Sequence, residues 1–263
     1  MKTMRVAAAF AAVMLMVSIQ GCSVFNWGSA PKETESAPAA KTDDVFREGE
    51  ALLESGKYDE ARKAYSKVRE TDPEKTYEPL VMVRLGDSYY EEGRYAEAEV
   101  EYRRFLDLHP RNKAAPYTKY QLGMCGFKQM GTPDRDPGFA LSAMKEFQEL
   151  LDLYPGSPYE EEAKEKLRVA KGKVADNEFN VGMYYYKRGS YPAAIKRFKG
   201  MIEKYPGSKS EPEALYCMAD SYISLGEFGY AKDTLTMLFT EHPNHEMAAK
   251  AKDKLSPEIP EDK

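Results

Sequence analysis

The residues best suited to chemistry in this sequence begin with a pair of histidines near its C-terminal end. His242 and His245 lie in the segment EHPNHE, beside Glu241 and Glu246. Imidazole and carboxylate groups at this spacing could hold a metal ion. Pro243, however, interrupts helices and favours a turn at the same place. We favour a turn that joins two helices and predict no metal site.

No enzyme motif accompanies these residues. The 263-residue sequence has three histidines, no Gly-rich phosphate loop and no HExxH segment, and no Ser-His-Asp set can be proposed from it. We therefore expect no catalytic residue and no cofactor. The formal net charge is −5, which does not favour nucleic acid as a partner because phosphate binding needs a basic face.

A further distinctive residue is Cys22, which follows an apolar segment near the N-terminus. Lys2 and Arg5 precede the apolar residues 6–19, which are too few for the roughly 20 that a membrane-spanning helix needs. The segment IQGC resembles a bacterial lipobox, in which the cysteine thiol takes diacylglycerol and the cysteine becomes the N-terminus. The sequence therefore predicts a signal peptide over 1–21 and lipidation at Cys22, where several acyl chains would anchor stably.

The segment after Cys22 is rich in Ser, Ala, Pro and Thr and has few large apolar residues. This composition predicts a flexible, lipidated tether over 22–42. Ser23, rather than Asp, follows the cysteine, which by resemblance to lipoprotein sorting signals favours the outer over the inner membrane. We expect a protein anchored to the outer membrane at its periplasmic face.

The rest of the chain, which must position any functional group, repeats one pattern. It appears in SGKYDEARKAYSKV, EGRYAEAEVEYRRFLDLHP, RGSYPAAIKRFKGMIEKYP and LGEFGYAKDTLTMLFTEHP. Each segment has Gly-x-aromatic, then Ala, then an aromatic residue or Leu four positions later. This pattern resembles the tetratricopeptide repeat (TPR) of about 34 residues.

Five units share this register. The first small position is occupied by Gly49, Gly86, Gly123, Gly182 and Ala219. The inter-helix glycine is Gly56, Gly93, Gly189 or Gly226. The second small position is occupied by Ala61, Ala98, Ala143, Ala194 and Ala231. The bulky residue four positions later is Tyr65, Tyr102, Phe147, Phe198 or Leu235. Because small residues let two helices approach and one hairpin cannot bury its apolar face alone, we predict an all-α tetratricopeptide-repeat superhelix of five helical hairpins.

The spacing of the units divides the array. Most starts are 37 residues apart, but 59 residues separate Gly123 from Gly182. Part of the excess is a loop at 131–139, and the rest predicts a long helix from near Pro158 to about Lys187. The predicted organisation is units one to three over 43–155, the long helix with units four and five over 156–253, and a disordered tail over 254–263.

Cys125 and Cys217 fall in the first helices of units three and five, which one unit separates. Their Cα atoms should lie beyond the roughly 7 Å that a disulfide can bridge. We therefore predict buried free thiols, with a disulfide as the alternative in an oxidising compartment.

In TPR arrays the first helix of each unit lines the concave side. This rule predicts a groove that includes Phe46, Glu50, Val83, Asp87, Tyr90, Tyr117, Tyr120, Met124 and Phe127. Aromatic side chains beside carboxylates suit an extended peptide, since Tyr offers contact area at low entropic cost. The alternative is that the next helix covers several of these side chains.

Two longer segments carry a family resemblance. DRDPGFALSAMKEFQELLDLYPGSPYEEEAKEKL and EFNVGMYYYKRGSYPAAIKRFKGMIEKYP are similar to the BamD family of outer-membrane β-barrel assembly lipoproteins. The resemblance covers about 43–253 and the lipobox, although the loop before DRDP is shorter here. It implies that 43–155 bind unfolded outer-membrane proteins by their C-terminal targeting strand. It also implies that 156–253 dock on the periplasmic POTRA domains of the barrel subunit BamA, with other Bam lipoproteins as further partners.

The resemblance also implies docking residues. Arg197 matches a family arginine at the BamA-facing surface, and Arg188 lies near it at a helix end. Asp134, Arg135 and Asp136 are the first three residues of the DRDP motif. They either contact the partner or fix the shape of the loop, with Asp136 capping the following helix. Two other classes stay open, a periplasmic TPR lipoprotein scaffold for cell-envelope division or peptidoglycan machinery and an enzyme accessory subunit.

Overall fold

The computed structural model describes residues 38–132 and 135–259, with side chains from residue 41 onward. The predicted signal peptide over 1–21, the lipidation residue Cys22 and Asp134 of the loop motif lie outside the described residues. Residues 22–37 of the predicted tether lie outside them as well, and all of these stay predictions.

The described ranges form eleven α-helices and one 3₁₀ helix, without a strand. The α-helices are α1 (Pro38–Glu54), α2 (Tyr58–Thr71), α3 (Glu78–Glu91), α4 (Tyr95–Leu108), α5 (Ala115–Gln129), α6 (Gly138–Leu153), α7 (Glu160–Lys187), α8 (Tyr191–Lys204), α9 (Glu211–Ser224), α10 (Phe228–Glu241) and α11 (Glu246–Lys254). The 3₁₀ helix covers Ser256–Glu258. From α1 to α11 each helix packs against the next. The all-α class and the five TPR hairpins, α1/α2 to α9/α10, are as predicted.

The repeated glycine and aromatic residues form one contact in each of the first four hairpins. A methyl group added at Gly49 would lie 2.7 Å from the Tyr65 ring, and one at Gly86 would lie 2.4 Å from the Tyr102 ring. The corresponding pairs in the next two hairpins are Gly123 with Phe147 at 2.6 Å and Gly182 with Phe198 at 2.5 Å. Distances this short leave no room for a Cβ. The missing glycine side chain is therefore what admits each buried ring.

The turns inside four hairpins depend on glycine for a different reason. Gly56, Gly93, Gly189 and Gly226 have φ of 75°, 80°, 69° and 76°. Residues with a Cβ rarely adopt this left-handed conformation, so these positions end the first helix at low cost. In the third hairpin the inserted loop takes the place of this turn.

Helix α7 joins two cores. Ala163, Leu167 and Ala170 in its first half pack with Phe147 and Leu150 of α6. Ala175 in its second half belongs to the core that contains Phe198 of α8. The long connecting helix is thus confirmed with bounds close to those predicted, and it is continuous across the division between units three and four.

Both ends of the repeat region differ from the predictions. α1 begins at Pro38, so the flexible tether cannot extend to 42, and the buried Thr42 donates a hydrogen bond to the Thr71 carbonyl at 2.9 Å. The predicted disordered tail is ordered as far as 259. Leu255 is 2% exposed and lies in the last hydrophobic core, because α11 and the 3₁₀ helix cover the open face of the fifth hairpin. An array needs such a cap at its end.

Cys125 and Cys217 are free and buried, as predicted. Burial raises the pKa of each thiol to about 12. None of the helices in the described part of the chain is both long enough and apolar enough to cross a membrane.

Candidate functional site

A buried polar network joins the first three hairpins at Asp87 of α3. Its Oδ1 accepts hydrogen bonds from the hydroxyls of Tyr102 on α4, at 2.8 Å, and Tyr117 on α5, at 2.9 Å. Arg84 donates to its Oδ2 at 2.9 Å. A carboxylate that is only 6% exposed requires such donors. Asp87 therefore ties three helices together.

Arg84 extends the network to the first hairpin. Its Nε donates to Oε2 of Glu50 at 3.0 Å, and the Tyr65 hydroxyl donates to Oε1 of the same carboxylate at 2.6 Å. Burial raises the pKa of Asp87 above its usual value, although the hydrogen bonds from Tyr102, Arg84 and Tyr117 oppose that rise. The network holds the five helices α1 to α5 in one arrangement.

The network corrects part of the predicted groove. Asp87, Tyr120 and Met124 are 6%, 7% and 9% exposed, and Val83 is also buried, so these side chains do not line an open surface. Tyr159, just before α7, stacks on Tyr120 with ring centroids 5.4 Å apart. The Tyr120 hydroxyl also donates to the Glu162 carboxylate on α7. Coverage by the next helix, the alternative left open, therefore holds at these positions.

Four predicted groove residues keep part of their rings accessible. Phe46, Tyr90, Tyr117 and Phe127 are half-buried. Phe46 packs between Tyr65 and Tyr77 with centroid distances of 5.7 and 5.3 Å. The Lys166 ammonium lies 5.2 Å from the centroid of Phe127. These rings are fixed by their neighbours, and their role in binding stays a prediction.

Arg197 and Arg188 belong to the fourth hairpin. Arg197 on α8 is 46% exposed and its Nη1 lies 3.1 Å from Oε2 of Glu178 on α7. It lines a cleft of about 510 Å³ together with Tyr185. Arg188, at the C-terminal end of α7, lies over the Tyr184 ring with its Cζ 4.2 Å from the centroid. Both guanidinium groups are accessible, although each already has a partner within the chain.

The loop between α5 and α6 is held in part by its own motif. Oδ1 of Asp136 accepts a hydrogen bond from the backbone N–H of Gly138 at 3.1 Å, at the first residue of α6. Nδ2 of Asn177 on α7 donates to the carbonyl of Arg135 at 2.9 Å. These contacts agree with a loop-shaping role for Asp136, and the docking role of Arg135 and Asp136 stays a prediction.

Sequence reasoning missed a buried ionic cluster in the third hairpin. Lys119 of α5 and Glu146 of α6 are 6% and 1% exposed and form an ion pair. Arg103 of α4 reaches Oε1 of Glu146 at 2.9 Å, and Glu149 also pairs with Lys119. A lysine and a glutamate 27 positions apart carry no local signal of such pairing. The cluster fixes the hairpin against α4.

The histidine segment lies at the junction of α10 and α11. His245 does not join the neighbouring acidic groups, because its Nδ1 accepts a hydrogen bond from the backbone N–H of Met247 at 3.2 Å and caps α11. Ligand atoms of Glu211, Glu241 and His242 lie within 4.8 Å of one another. Nε2 of His242 is 3.9 Å from Oε1 of Glu211, which matches an ion pair when the imidazole is protonated. The segment is a turn, as predicted.

The chain has five helical hairpins, of which the first four share a Gly–aromatic contact. A side-chain network links the first three hairpins, and aromatic and basic groups stay accessible. These features together define a tetratricopeptide-repeat binding scaffold. The model of one family, described as "YfiO: Outer membrane lipoprotein", matches residues 38–238. The chain belongs to this family.

Relatives with similar sequences share one name. "Outer membrane protein assembly factor BamD" of Caulobacter vibrioides is 29% identical over 222 residues, 84% of this chain and 72% of the relative. The protein of the same name from Haemophilus influenzae is 25% identical over 241 residues, 88% of this chain and 89% of the relative. That of Neisseria meningitidis serogroup A is 34% identical over 110 residues, 42% and 41% of the two chains.

Solved structures with detectable similarity include the "TPR2AB-domain:pHSP90-complex of yeast Sti1". It is 17% identical with a TM-score of 0.43, covering 80% of this chain and 81% of that one. A thermophilic TPR protein from Thermus thermophilus is 15% identical with a TM-score of 0.36, covering 81% and 97%.

Proposed function

We propose that this chain is a lipid-anchored periplasmic scaffold of the outer-membrane β-barrel assembly (Bam) complex. It binds unfolded outer-membrane proteins, docks on a BamA-like subunit through POTRA domains and brings the two together for insertion. It acts by binding and has no catalytic step of its own. Membership of the outer membrane lipoprotein family, with relatives named as BamD assembly factors, is the observation that carries the proposal.

The anchor in this proposal is Cys22. Several acyl chains on its thiol would hold the helical body at the periplasmic face of the outer membrane. Residues 23–37, between the cysteine and the first residue of α1, would then form the tether.

The first three hairpins are the proposed substrate half. Phe46, Tyr90, Tyr117 and Phe127 offer half-buried rings, which suit the aromatic side chains of an extended strand. The network around Asp87 and Arg84 supports this assignment, because it holds the first helices of three hairpins in place before a substrate arrives. Preorganisation of this kind lowers the entropic cost of binding.

The fourth and fifth hairpins with α7 are the proposed docking half. Arg197 lines an open cleft and is held by a single half-exposed carboxylate, Glu178. A partner carboxylate can replace Glu178 at little cost, because exposed ion pairs are worth at most about 1 kcal/mol. The planar guanidinium then pairs with that carboxylate through two hydrogen bonds.

Affinity purification of the full, tagged lipoprotein from detergent-solubilised outer membranes tests the proposal. Mass spectrometry should identify a β-barrel protein with POTRA domains among the co-purified proteins, together with other Bam lipoproteins. A Cys22→Ser variant should be less abundant in the membrane fraction, because it keeps its protein contacts there and loses the acyl chains. Recovery of peptidoglycan or division enzymes without a POTRA-bearing barrel would contradict the assembly role and support the alternative scaffold.

A further inference from the structure

A basic cleft lies beside the first half of α7, next to the turn between α8 and α9. It has a volume of about 500 Å³. Its cationic residues come from three consecutive elements, Arg168, Lys171 and Lys173 on α7, Lys204 at the end of α8, and Lys209 in the turn. Five basic residues thus meet in one concavity of a chain whose net charge is −5. The overall charge conceals this local excess.

Among the described residues, four of these five charges have no counter-charge. Arg168 pairs with Glu165 one turn earlier on α7, at 2.6 Å. For the lysines of the cleft, by contrast, no ion pair occurs within the described part of the chain. The one carboxylate of the lining, Asp176, accepts a hydrogen bond from the Ser210 hydroxyl at 2.7 Å. Four uncompensated ammonium groups around one cleft favour an anionic occupant.

The rest of the lining bears on what the cleft binds. The half-buried Val169 and Tyr205 line it beside Pro206, but none of the exposed large apolar side chains of the described chain lies in it. Its free charges are all lysines, which act as point charges without the bidentate geometry that a fixed carboxylate partner uses. The Ser208 hydroxyl also lines the cleft and lacks a hydrogen-bond partner among the described residues.

We propose that this lysine cleft, formed by Lys171, Lys173, Lys204 and Lys209, binds the phosphate-bearing headgroups of anionic membrane lipids. The proposal rests on the proposed anchorage, since a lipoprotein of the outer membrane is held within reach of headgroups at all times. Lysines close to an anionic surface each raise binding about fivefold. The cleft therefore gives the helical body its own contact with the bilayer and restricts its orientation there, beyond what a tether alone can do.

The test uses the full mature chain with Cys22→Ser, which removes the lipid and leaves the cleft as the membrane contact. Binding is measured by co-sedimentation with phosphatidylcholine vesicles, with and without phosphatidylglycerol. We expect binding only to the phosphatidylglycerol vesicles, weakened by salt. The triple variant Lys171→Gln, Lys173→Gln, Lys209→Gln should bind them at least about tenfold more weakly. Lys204 is left unchanged because it also lines the Arg197 cleft.

The matched control changes three other lysines that are exposed and lie away from the cleft, Lys63, Lys67 and Lys113, to Gln. It removes the same charge and should alter vesicle binding less than about twofold, because these positions lie outside the proposed contact. Equal losses in both triple variants, with helical circular dichroism retained in both, would reduce the effect to net charge and overturn the proposal.

Two other probes distinguish the occupant. Binding of a glutamate-rich peptide that depends on the three cleft lysines, without vesicle binding, would identify an acidic protein partner and overturn the lipid assignment. Binding of inorganic phosphate alone would overturn it in the same way. The vesicle assay contains no partner protein. Absence of vesicle binding would therefore overturn the lipid proposal and leave the proposed assembly role untouched.

Discussion

Gly182 of α7 faces the Phe198 ring of α8 so closely that a methyl group at Gly182 would lie 2.5 Å from Cε1 of that ring. Phe198 is fully buried, so its ring cannot move aside without disturbing the core shared by the last two hairpins. The same contact recurs in three earlier hairpins. In the fifth hairpin the first of these positions is Ala219, which is larger than glycine, and the second is Leu235, which is smaller than phenylalanine.

Replacement of Gly182 by Ala is therefore expected to destabilise the protein. Overpacking a filled core costs about 1–3 kcal/mol, which exceeds the gain in helix propensity. The control is Gly172→Ala in the same helix, where nothing lies within 4 Å of the added methyl group. That change should stabilise the protein by about 0.5–1 kcal/mol. Urea unfolding of both variants, followed by circular dichroism, measures the opposite signs.

The fifth hairpin suggests a compensating change. Adding Phe198→Leu to Gly182→Ala reproduces the Ala219 and Leu235 pair, so the double variant should be more stable than the sum of the two single effects predicts. The double variant could instead change the unfolding free energy by the sum of the two single changes. That result would show that a methyl group at residue 182 and the Phe198 ring do not compete for the same space.

Removal of the Asp87 carboxylate should destabilise the first three hairpins. Asp87→Ala leaves the hydroxyls of Tyr102 and Tyr117 and the Arg84 guanidinium without their acceptor, at a cost of about 2–4 kcal/mol. Asp107→Ala, at an exposed position of α4, should change stability by less than about 0.5 kcal/mol. The measurement compares the unfolding free energies of the two variants. Equal values would show that the Asp87 network does not stabilise the protein.

The pH dependence of the Asp87 contribution has an unusual sign. Burial raises the folded-state pKa of Asp87 above its value in the unfolded chain. The folded protein therefore holds this proton more tightly, and the resulting stabilisation is present below the unfolded pKa and is lost as the pH rises through the folded pKa. The stability difference between wild type and Asp87→Asn should shift in favour of wild type as the pH falls from about 7 to 4. A shift in the other direction would contradict the raised pKa.

Cys125 and Cys217 should resist thiol reagents in the folded protein. Burial raises the pKa of each to about 12, and the thiolate is the reactive form. At about pH 8, below the usual thiol pKa, neither thiol of a Cys22→Ser chain should react with a disulfide reagent until denaturant is added, and then both should react. The pKa of each thiol is higher in the folded than in the unfolded chain. Each thiol therefore stabilises the folded state below about pH 9, and this contribution is lost as the pH rises towards about 12. Rapid labelling without denaturant would contradict their burial.

Arg197→Glu tests the docking surface of the proposed scaffold. Charge reversal places like charges against the partner, and recovery of the POTRA-bearing protein should fall at least about tenfold. Glu178→Gln is the matched control, because it removes the internal ion pair of Arg197 and leaves the guanidinium in place. That variant should keep or increase recovery. Equal losses in both would assign Arg197 a structural role only, and retained circular dichroism verifies the fold.

The repeat register, the five hairpins and the long helix could all be predicted from local patterns. These patterns are helix periodicity, a glycine that ends a helix and a small residue opposite a large one. Each depends on residues that are close together in the chain, so it can be recognised in the sequence. The apolar segment before Cys22 and the IQGC motif are equally local. For this reason the predicted α7 agrees with the observed helix almost to its ends.

Burial and pairing between distant residues required the tertiary structure. The helical position of Tyr120 predicts a groove residue, but Tyr159 and the carboxylate of Glu162 cover it. The sequence predicts a disordered tail at Leu255, yet this residue completes a core, since only the open face of the last hairpin gives its side chain somewhere to pack. Lys171 and Lys209 belong to the same cleft although 38 positions separate them in the sequence. A pattern along one helix contains no information about the helix that will lie across it. The repeat fold of this protein was therefore determined by local sequence, and its accessible surface by the packing of its helices.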